Sequence, residues 1–251
     1  MIVLTIAVRE WRSLFLSPLA WTLLAVVQGL LAWVFLLLVD DFRDLQGQLA
    51  NLDNAPGVTD LVAAPLFRVA AWILLLLVPL LTMRLFSQER RTGTLDLLLS
   101  SPVAIPAIVL GKYLGILAFF LSAIALITLM PLSLAVGATL DIGKLLAEVL
   151  GLSLLAGAAI AIGMYLSTLT TQPAVAAVAT LGLLLALWMV DMASATQGAG
   201  SDLLGYLSLQ RHYDSFLLGL FDSTDLAYYL LLSLAFLSLA IRRLDDLRLR
   251  G

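Results

Sequence analysis

The amino-acid sequence predicts an all-α integral membrane protein with six transmembrane helices and both termini in the cytoplasm. Of its 251 residues, 62% are hydrophobic and only 12% are charged, and the mean hydropathy is +1.05. A soluble domain carries about 25% charged residues, which cover its surface, so this composition excludes a water-soluble fold. The net charge of −3 shows no basic excess, which argues against nucleic-acid binding.

Six apolar segments are long enough to cross the hydrocarbon core, which requires about 20 residues of helix. They lie at 19–39, 65–86, 111–136, 145–169, 173–192 and 226–241. The sixth is the shortest, and a few residues from Ser223 onward extend it. No loop is long enough for a typical soluble domain, so the whole chain, 1–251, is interpreted as a single transmembrane domain.

The distribution of lysine and arginine predicts the orientation, because cytoplasmic segments of membrane proteins are enriched in these residues. With both termini inside, the outer segments hold only Arg43, Arg68, Lys144 and Arg211. The cytoplasmic segments hold Arg9, Arg12, Arg84, Arg90, Arg91, Lys112, Arg242, Arg243, Arg248 and Arg250. Two cytoplasmic loops follow from this arrangement, a long one at 87–110 and a short turn at 170–172.

Residues 1–18 are predicted to form an amphipathic helix before the first span. One side of this helix carries Leu4, Val8, Trp11 and Phe15, and the other carries Arg9, Glu10 and Arg12. Pro18 disfavours helical conformation at Ser17 and so ends the helix. An apolar face flanked by arginines suits a helix in the inner headgroup layer. The alternative is a frayed start of the first span, or a topology anchor.

The long inner loop contains a predicted helix of about two turns. Gly93 permits a sharp turn, Thr94 can cap a new helix, and Asp96 complements its dipole. Two prolines, Pro102 and Pro106, separate it from the third span. Its apolar face consists of Leu95, Leu97, Leu98 and Leu99. These leucines must enter either the membrane surface or a groove of a partner protein, and the residues alone leave both alternatives open.

The sequence predicts no catalytic, metal or nucleotide site in this chain. It has no cysteine and a single histidine, His212, which excludes thiolate sites and histidine clusters. The nearest approach to a P-loop is Gly111-Lys112, but Tyr113 follows it and Pro106 stands where the first glycine is needed. Lys112 is therefore interpreted as a lysine at the entry to a membrane span.

No ionisable residue lies clearly at the bilayer midplane, where proton relays and secondary carriers usually place one. Interhelical salt bridges are considered for Arg68, Glu148 and Asp191, against the alternative of solvated helix ends. The fourth span is rich in small residues, which predict close helix packing within the subunit; its glycines are Gly151, Gly157 and Gly163.

The outer segments, 40–64 and 193–225, are acidic, and contact with an extracytoplasmic partner is left open as one alternative for them. Within the second, the sequence YLSLQRHYDSFLLGLF predicts a short amphipathic helix at the outer surface. Arg211, His212 and Asp214 are expected to sit together there in a structural role, although a histidine near an aspartate can also titrate usefully.

Three stretches resemble the ABC-2 type permeases, the membrane subunits of one class of ATP-binding-cassette transporters. ERRTGTLDLLLSSPV followed by IVLGKYLG resembles their first inner loop, and REWRSLFLSPLAW resembles their start. LQRHYDSFLLGLFDSTDLAYYL resembles the region before the last span in the gliding-motility branch. The copper-enzyme-maturation branch is similar at the N-terminus.

The resemblance implies roles for particular positions. The interfacial elbow helix would include Arg9, Glu10, Trp11, Arg12 and Phe15. A coupling helix and its flank, in contact with an ATPase subunit, would comprise Arg90, Arg91, Thr92, Gly93, Thr94, Leu95, Asp96, Leu97, Leu98, Leu99 and Ser100. Glu89 would flank the same joint, and the turn at 170–172 would be a lesser contact.

The resemblance also implies partners and a location. A separate ATPase dimer would bind ATP and Mg²⁺, a second or related permease would complete the transmembrane dimer, and the complex would lie in the bacterial inner membrane. The predicted function is that of the permease subunit of an ATP-driven exporter. One alternative is a mechanotransmission subunit that drives an extracytoplasmic partner and moves no cargo. A second is a carrier or channel that needs no ATPase.

Overall fold

The computed structural model describes residues 2–49, 56–95, 103–194 and 205–250, and within these ranges the chain is helical without a β-strand. Six helical stretches of this part are long and apolar enough to cross a membrane. They are Ala20–Gly47, Thr59–Thr92, Ile105–Val136, Ile142–Leu169, Pro173–Val190 and Ser223–Leu249. The predicted all-α membrane fold with six spans is therefore confirmed.

The helices are numbered here in chain order. They are α1 Ile2–Leu16, α2 Pro18–Leu49, α3 Ala64–Thr82, α4 Ser87–Thr92, α5 Ile105–Ser133, α6 Ile142–Leu169, α7 Pro173–Ser194, α8 Leu209–Leu217 and α9 Ser223–Arg250. A π-helical turn, Thr59–Ala63, leads into α3, and a 3₁₀ turn, Leu134–Val136, follows α5. The last helix contains the sixth apolar segment and continues beyond it through the charged C-terminal residues.

The chain bends between α1 and α2 at Ser17, as the proline that follows predicts. Pro18 occupies the first position of α2, where its missing N–H removes no intrahelical hydrogen bond. The indole N–H of Trp21 donates to the carbonyl of Phe15 at 2.7 Å. This bond satisfies a carbonyl at the end of α1 that has no partner within its own helix.

The central helix of the bundle is α6, which packs against α3, α5, α7, α8 and α9. Its glycines allow this approach. A Cβ added at Gly151 would lie 2.6 Å from the Cβ of Phe216, and one at Gly157 would lie 2.8 Å from the hydroxyl of Tyr113. A Cβ added at Gly163 would likewise collide with the side chain of Thr82. The prediction that the small residues of the fourth span serve packing within the subunit is confirmed.

Several polar side chains inside the spans have hydrogen-bond partners in the protein, which a lipid environment favours. Gln28 of α2 donates to the carbonyl of Ala123 on α5 at 3.1 Å, which ties the peripheral first span to the bundle. Several hydroxyls donate to the carbonyl four residues earlier in their own helix; these belong to Ser122, Thr128, Ser153, Thr180 and Ser233.

Candidate functional site

The N-terminal helix is docked on α5 through two glycines spaced four residues apart. A Cβ added at Gly111 would lie 2.7 Å from the Cβ of Ile6, and one at Gly115 would lie 2.6 Å from the Cβ of Glu10. The carbonyl of Ala7 is also only 2.9 Å from the latter position. Small residues at this spacing form a groove that lets two helices approach closely, so α1 is seated on the third span.

Part of the predicted apolar face of α1 packs against the bundle, and the rest is exposed. Phe15 packs against Phe119 of α5 with ring centroids 5.4 Å apart and against Trp11 at 5.1 Å. Leu4, Val8 and Trp11 are exposed on the protein surface, where lipid can cover them. The two arginines expected on the elbow helix, Arg9 and Arg12, are exposed as well.

Lys112 joins three segments at this end of the bundle. It is only 5% exposed. Its ammonium lies 2.6 Å from the carboxylate of Glu89 on α4 and 3.4 Å from that of Glu10 on α1. It also donates to the carbonyl of Leu85 at 3.1 Å and lies 5.3 Å from the ring centroid of Phe86. Lysine is rarely this buried unless it is paired, so Lys112 is the shared ionic contact of α1, α4 and α5.

The junction between α3 and α4 is held by the end of α6. The hydroxyl of Ser167 accepts hydrogen bonds from the backbone N–H groups of Phe86 and Ser87, each at 3.1 Å, and donates to the carbonyl of Met83 at 3.1 Å. Arg90 donates to the carbonyl of Thr168 at 2.8 Å. Helix ends leave such backbone groups without intrahelical partners, and α6 supplies partners for them.

Gly93 ends α4 in the left-handed conformation, with φ of 71°. This conformation is favourable for glycine and strained for other residues, so the turn predicted at Gly93 is confirmed. Thr94 follows directly, and its hydroxyl contacts that of Thr92 at 2.9 Å. Leu95 is buried at 4% exposure. The remaining residues of the predicted coupling helix lie outside the described residues: Asp96, Leu97, Leu98, Leu99 and Ser100.

The structure brings one residue of the predicted elbow helix close to the flank of the predicted coupling helix. Glu10 of α1 and Glu89 of α4 share Lys112. Arg90 is used within the protein, whereas Arg91 and Thr92 are exposed beside the turn that contains Gln172. This end of the bundle therefore offers a polar, partly exposed surface whose backbone is anchored to α1, α5 and α6.

The opposite end is closed by α8, and here the expectation for the histidine is wrong. His212 is 4% exposed, not a surface residue. Its Nδ1 lies 2.5 Å from the carboxylate of Asp225 and its Nε2 lies 2.9 Å from the carbonyl of Tyr206. The ring stacks on Tyr228 with centroids 4.0 Å apart. Among the described residues, no group of three potential ligands is placed to hold a metal ion.

The expected cluster of Arg211, His212 and Asp214 is also separated. Asp214 pairs with Arg68 of α3 at 2.9 Å, while Arg211 is exposed. The helical repeat points His212 toward α9 and Asp214 toward α3, because residues two apart do not face the same side of a helix. The interhelical salt bridge considered for Arg68 is thus present.

Glu148 makes no such salt bridge, and it is not a solvated helix end. Its side chain is completely buried, and both carboxylate oxygens lack a hydrogen-bond partner. The nearby Lys144 pairs with Asp60 instead. The third candidate, Asp191, lies in α7, and its side chain is outside the described residues.

Tyr213 anchors α8 to α3. It is fully buried, and its hydroxyl donates to the carbonyl of Phe67 on α3 at 2.9 Å. Burial raises the pKa of Tyr213 well above its ordinary value, and the nearby carboxylates of Glu148 and Asp214 raise it further. Tyr213 therefore remains a neutral donor throughout the physiological pH range.

The sequence carries a signal for the docking of α1 on α5 but none for the ionic contact at Lys112. Gly111 and Gly115 have the four-residue spacing of a helix-packing face, and this spacing is a signal in the sequence for the docking of α1. The position of Lys112 at the start of a span is explained equally well by a membrane-entry lysine, and it does not indicate that Glu10 and Glu89 converge on it. Both acidic residues are distant from it in the chain.

The fold and the contacts of Lys112 define a polytopic α-helical membrane protein in which the N-terminal helix α1 is docked on α5 and the short helix α4 is anchored to α5 and α6. The model of the ABC-2 family transporter protein matches residues 4–245. The match covers nearly the whole chain, so the chain belongs to the ABC-2 transporter family. No curated protein matches this chain.

Proposed function

We propose that this chain is the transmembrane permease subunit of an ATP-binding-cassette exporter, and that a separate nucleotide-binding subunit hydrolyses ATP for it. The observation that carries the proposal is the family match over residues 4–245. The sequence adds that a P-loop is missing from the chain. The hydrolytic site would then belong to a partner, which binds ATP and Mg²⁺.

The surface proposed for the ATPase comprises the exposed end of α4 and the segment that follows it. Its exposed described residues are Arg91, Thr92, Gly93 and Thr94. The proposed contact also includes Arg90 and Leu95, which lie behind this surface, and residues 96–100. The left-handed turn at Gly93 separates the anchored helix α4 from that segment. The sequence predicts a short leucine-rich helix for that segment, and such a helix would suit insertion into a groove of a partner protein.

The contacts of α4 support a route by which motion of the ATPase would reach the membrane. Lys112 links Glu89 to α1 and α5, while Ser167 and Arg90 link the same region to α6. A push on the segment after Gly93 would thus act on three helices together. A nucleotide-driven change in the partner would then bias two arrangements of the bundle.

The complete exporter would contain two permeases and two ATPase subunits in a bacterial inner membrane. With both termini cytoplasmic, α1 would lie at the inner headgroup layer with its exposed face, Leu4, Val8 and Trp11, in lipid. The turns around α8 would then face outward, where an accessory protein can bind. The arginine and lysine distribution supports this orientation.

Leu98→Asp tests the coupling surface. The permease is co-expressed with candidate P-loop ATPases from the same genome, and the complex that forms is purified and assayed for ATP hydrolysis in proteoliposomes. We expect the variant to fold but to lose the ATPase on purification, because a charge in an apolar groove is costly. The matched control is Val136→Asp, at a position that is 96% exposed on the other end of the bundle.

The outcomes separate the proposal from its competitors. Retention of the ATPase and of full hydrolysis by Leu98→Asp would contradict the proposed surface. Transport by the chain alone in liposomes would instead favour a carrier or channel. If the ATPase binds and hydrolyses ATP but no cargo enters vesicles, the mechanotransmission alternative replaces the exporter.

A further inference from the structure

A cavity of about 340 Å³ lies between α1, α3, α4 and α5, next to the ionic contact at Lys112. Its polar lining includes Arg84, Gln88, Glu89 and Lys112. Its apolar lining includes Leu14, Leu80, Leu81 and Ile116. The cavity therefore combines a charged part and a hydrocarbon part, which is the division found within an amphipathic molecule.

At the ionic contact beside the cavity, two carboxylates share one ammonium, and one carboxylate oxygen is left without a hydrogen-bond donor. Two carboxylates, Glu10 and Glu89, approach a single ammonium, that of Lys112. Lys112 is already committed to these two groups and to the carbonyl of Leu85. The second carboxylate oxygen of Glu89, Oε2, is buried without a hydrogen-bond partner. A buried carboxylate oxygen without a donor is costly, so a ligand that donates hydrogen bonds would be favoured here.

A cation without a partner lines the same cavity. Arg84 lies in the turn between α3 and α4 and is exposed, and no described residue forms an ion pair or hydrogen bond with its side chain. Its guanidinium is suited to binding a phosphate through two parallel hydrogen bonds. The cavity thus presents an unsatisfied carboxylate oxygen and an available guanidinium at once.

We propose that this cavity binds the headgroup of a zwitterionic aminophospholipid. The primary ammonium lies against Glu89, the phosphate lies against Arg84, and the lipid chains follow Leu80, Leu81 and Leu14 into the hydrocarbon. A quaternary choline headgroup has no N–H to donate, and a glycerol headgroup brings no positive charge, so both fit less well. The apolar walls favour a lipid over a soluble amine phosphate. The site does not depend on the proposed ATPase.

The test measures which lipids remain bound to the purified full-length chain. The protein is reconstituted in nanodiscs of equal parts phosphatidylethanolamine, phosphatidylcholine and phosphatidylglycerol, extracted in mild detergent, and analysed by native mass spectrometry. We expect phosphatidylethanolamine to be retained preferentially. Arg84→Gln should weaken its retention about tenfold, as the loss of a charge-assisted contact predicts. The matched control is Arg242→Gln, an exposed arginine on α9 outside the cavity.

Two further arms keep the result decisive. Because Arg84 is exposed, we expect Arg84→Gln to melt at the same temperature as the wild type. A normal melting temperature would show that weaker retention of phosphatidylethanolamine does not come from misfolding. Glycerophosphoethanolamine, the soluble headgroup, should stabilise the protein far less than the lipid. Equal retention of the three lipids, retention of none, unchanged retention in Arg84→Gln, or equal stabilisation by the soluble headgroup would each overturn the proposal.

Discussion

The ammonium of Lys112 lies 2.6 Å from a carboxylate oxygen of Glu89, and this contact joins α5 to the short helix that leads into the long loop. Glu10 of α1 approaches the same ammonium at 3.4 Å. Because Lys112 is buried, water screens these interactions less than it screens surface pairs. Three segments that are distant in the chain are therefore held by one charge.

Lys112→Met is expected to destabilise the protein by on the order of 3 kcal/mol, because it leaves Glu10 and Glu89 without a shared cation. Thermal unfolding in detergent measures the loss. The double variant with Glu89→Gln should recover part of it, since one of the two unpaired carboxylates is then gone. A Lys112→Met protein that melts like the wild type would show that the contact contributes little.

Gly115→Leu is expected to displace α1 from α5, because even a Cβ at this position meets Glu10. The chain has no cysteine, so a single cysteine can report the change. Ile6→Cys should react with a maleimide severalfold faster in the Gly115→Leu background. Gly29→Leu serves as the control, since a Cβ there meets nothing within 4 Å. Equal reaction rates in the two backgrounds would place α1 elsewhere.

Labelling of single cysteines also tests the orientation. Val136 and Leu249 are 96% and 86% exposed, near opposite ends of spans. With the C-terminus in the cytoplasm, a membrane-impermeant reagent should label Val136→Cys in intact cells and Leu249→Cys only after the membrane is opened. The reverse pattern would invert the topology predicted from the arginine and lysine counts.

The raised pKa of Tyr213 predicts that the folded protein loses stability at high pH. Below the ordinary phenol pKa of about 10, the folded and unfolded chains are both protonated at this position and it contributes no pH dependence. Burial raises the pKa of Tyr213 in the folded chain, so above about pH 10 the unfolded chain releases its proton first and gains stability relative to the folded one.

Tyr213→Phe should therefore lose about 1 kcal/mol at pH 8, from the missing hydrogen bond to Phe67, and decline less steeply than the wild type above about pH 10. Melting curves across pH measure both effects. Tyr206→Phe, at an exposed tyrosine, should retain the wild-type slope. Parallel curves for wild type and Tyr213→Phe would mean that Tyr213 titrates normally.

The spans could be predicted from the sequence because hydropathy depends on local composition alone. The segments 145–169 and 173–192 lie within α6 and α7. The helix ends at Ser17 and Gly93 were also predictable. Pro18 disfavours helical conformation at the residue before it, and glycine can adopt the left-handed conformation that ends a helix. Hydropathy does not show where a helix ends once its residues become charged. For this reason α9, Ser223–Arg250, continues well past its apolar segment at 226–241.

The pairings between side chains could not be predicted in this way. His212 and Asp214 are two residues apart, but one pairs with Asp225 and the other with Arg68. These partners meet only after α3, α8 and α9 have packed together. The partners of Lys112 could not be predicted either. A lysine is common where a span enters the membrane, and Glu10 reaches Lys112 only because α1 packs against Gly115.

Glu148 is the residue for which the sequence and the structure disagree most, and it predicts a stabilising substitution. Its side chain is fully buried, neither carboxylate oxygen has a hydrogen-bond partner, and Lys144 is taken by Asp60. Burying a polar group without a partner costs about 1–3 kcal/mol. Leucine has a similar volume and no polar atoms, so Glu148→Leu should stabilise the protein by about that amount.

The measurement is the melting temperature in detergent, and Glu10→Leu is the matched comparison. Glu10 is a carboxylate that does have a partner, Lys112, so its replacement should destabilise where that of Glu148 stabilises. A lower melting temperature for Glu148→Leu would show that the carboxyl group has a favourable contact in the membrane. Because the two variants make the same chemical change, opposite signs can come only from the surroundings of each carboxyl group.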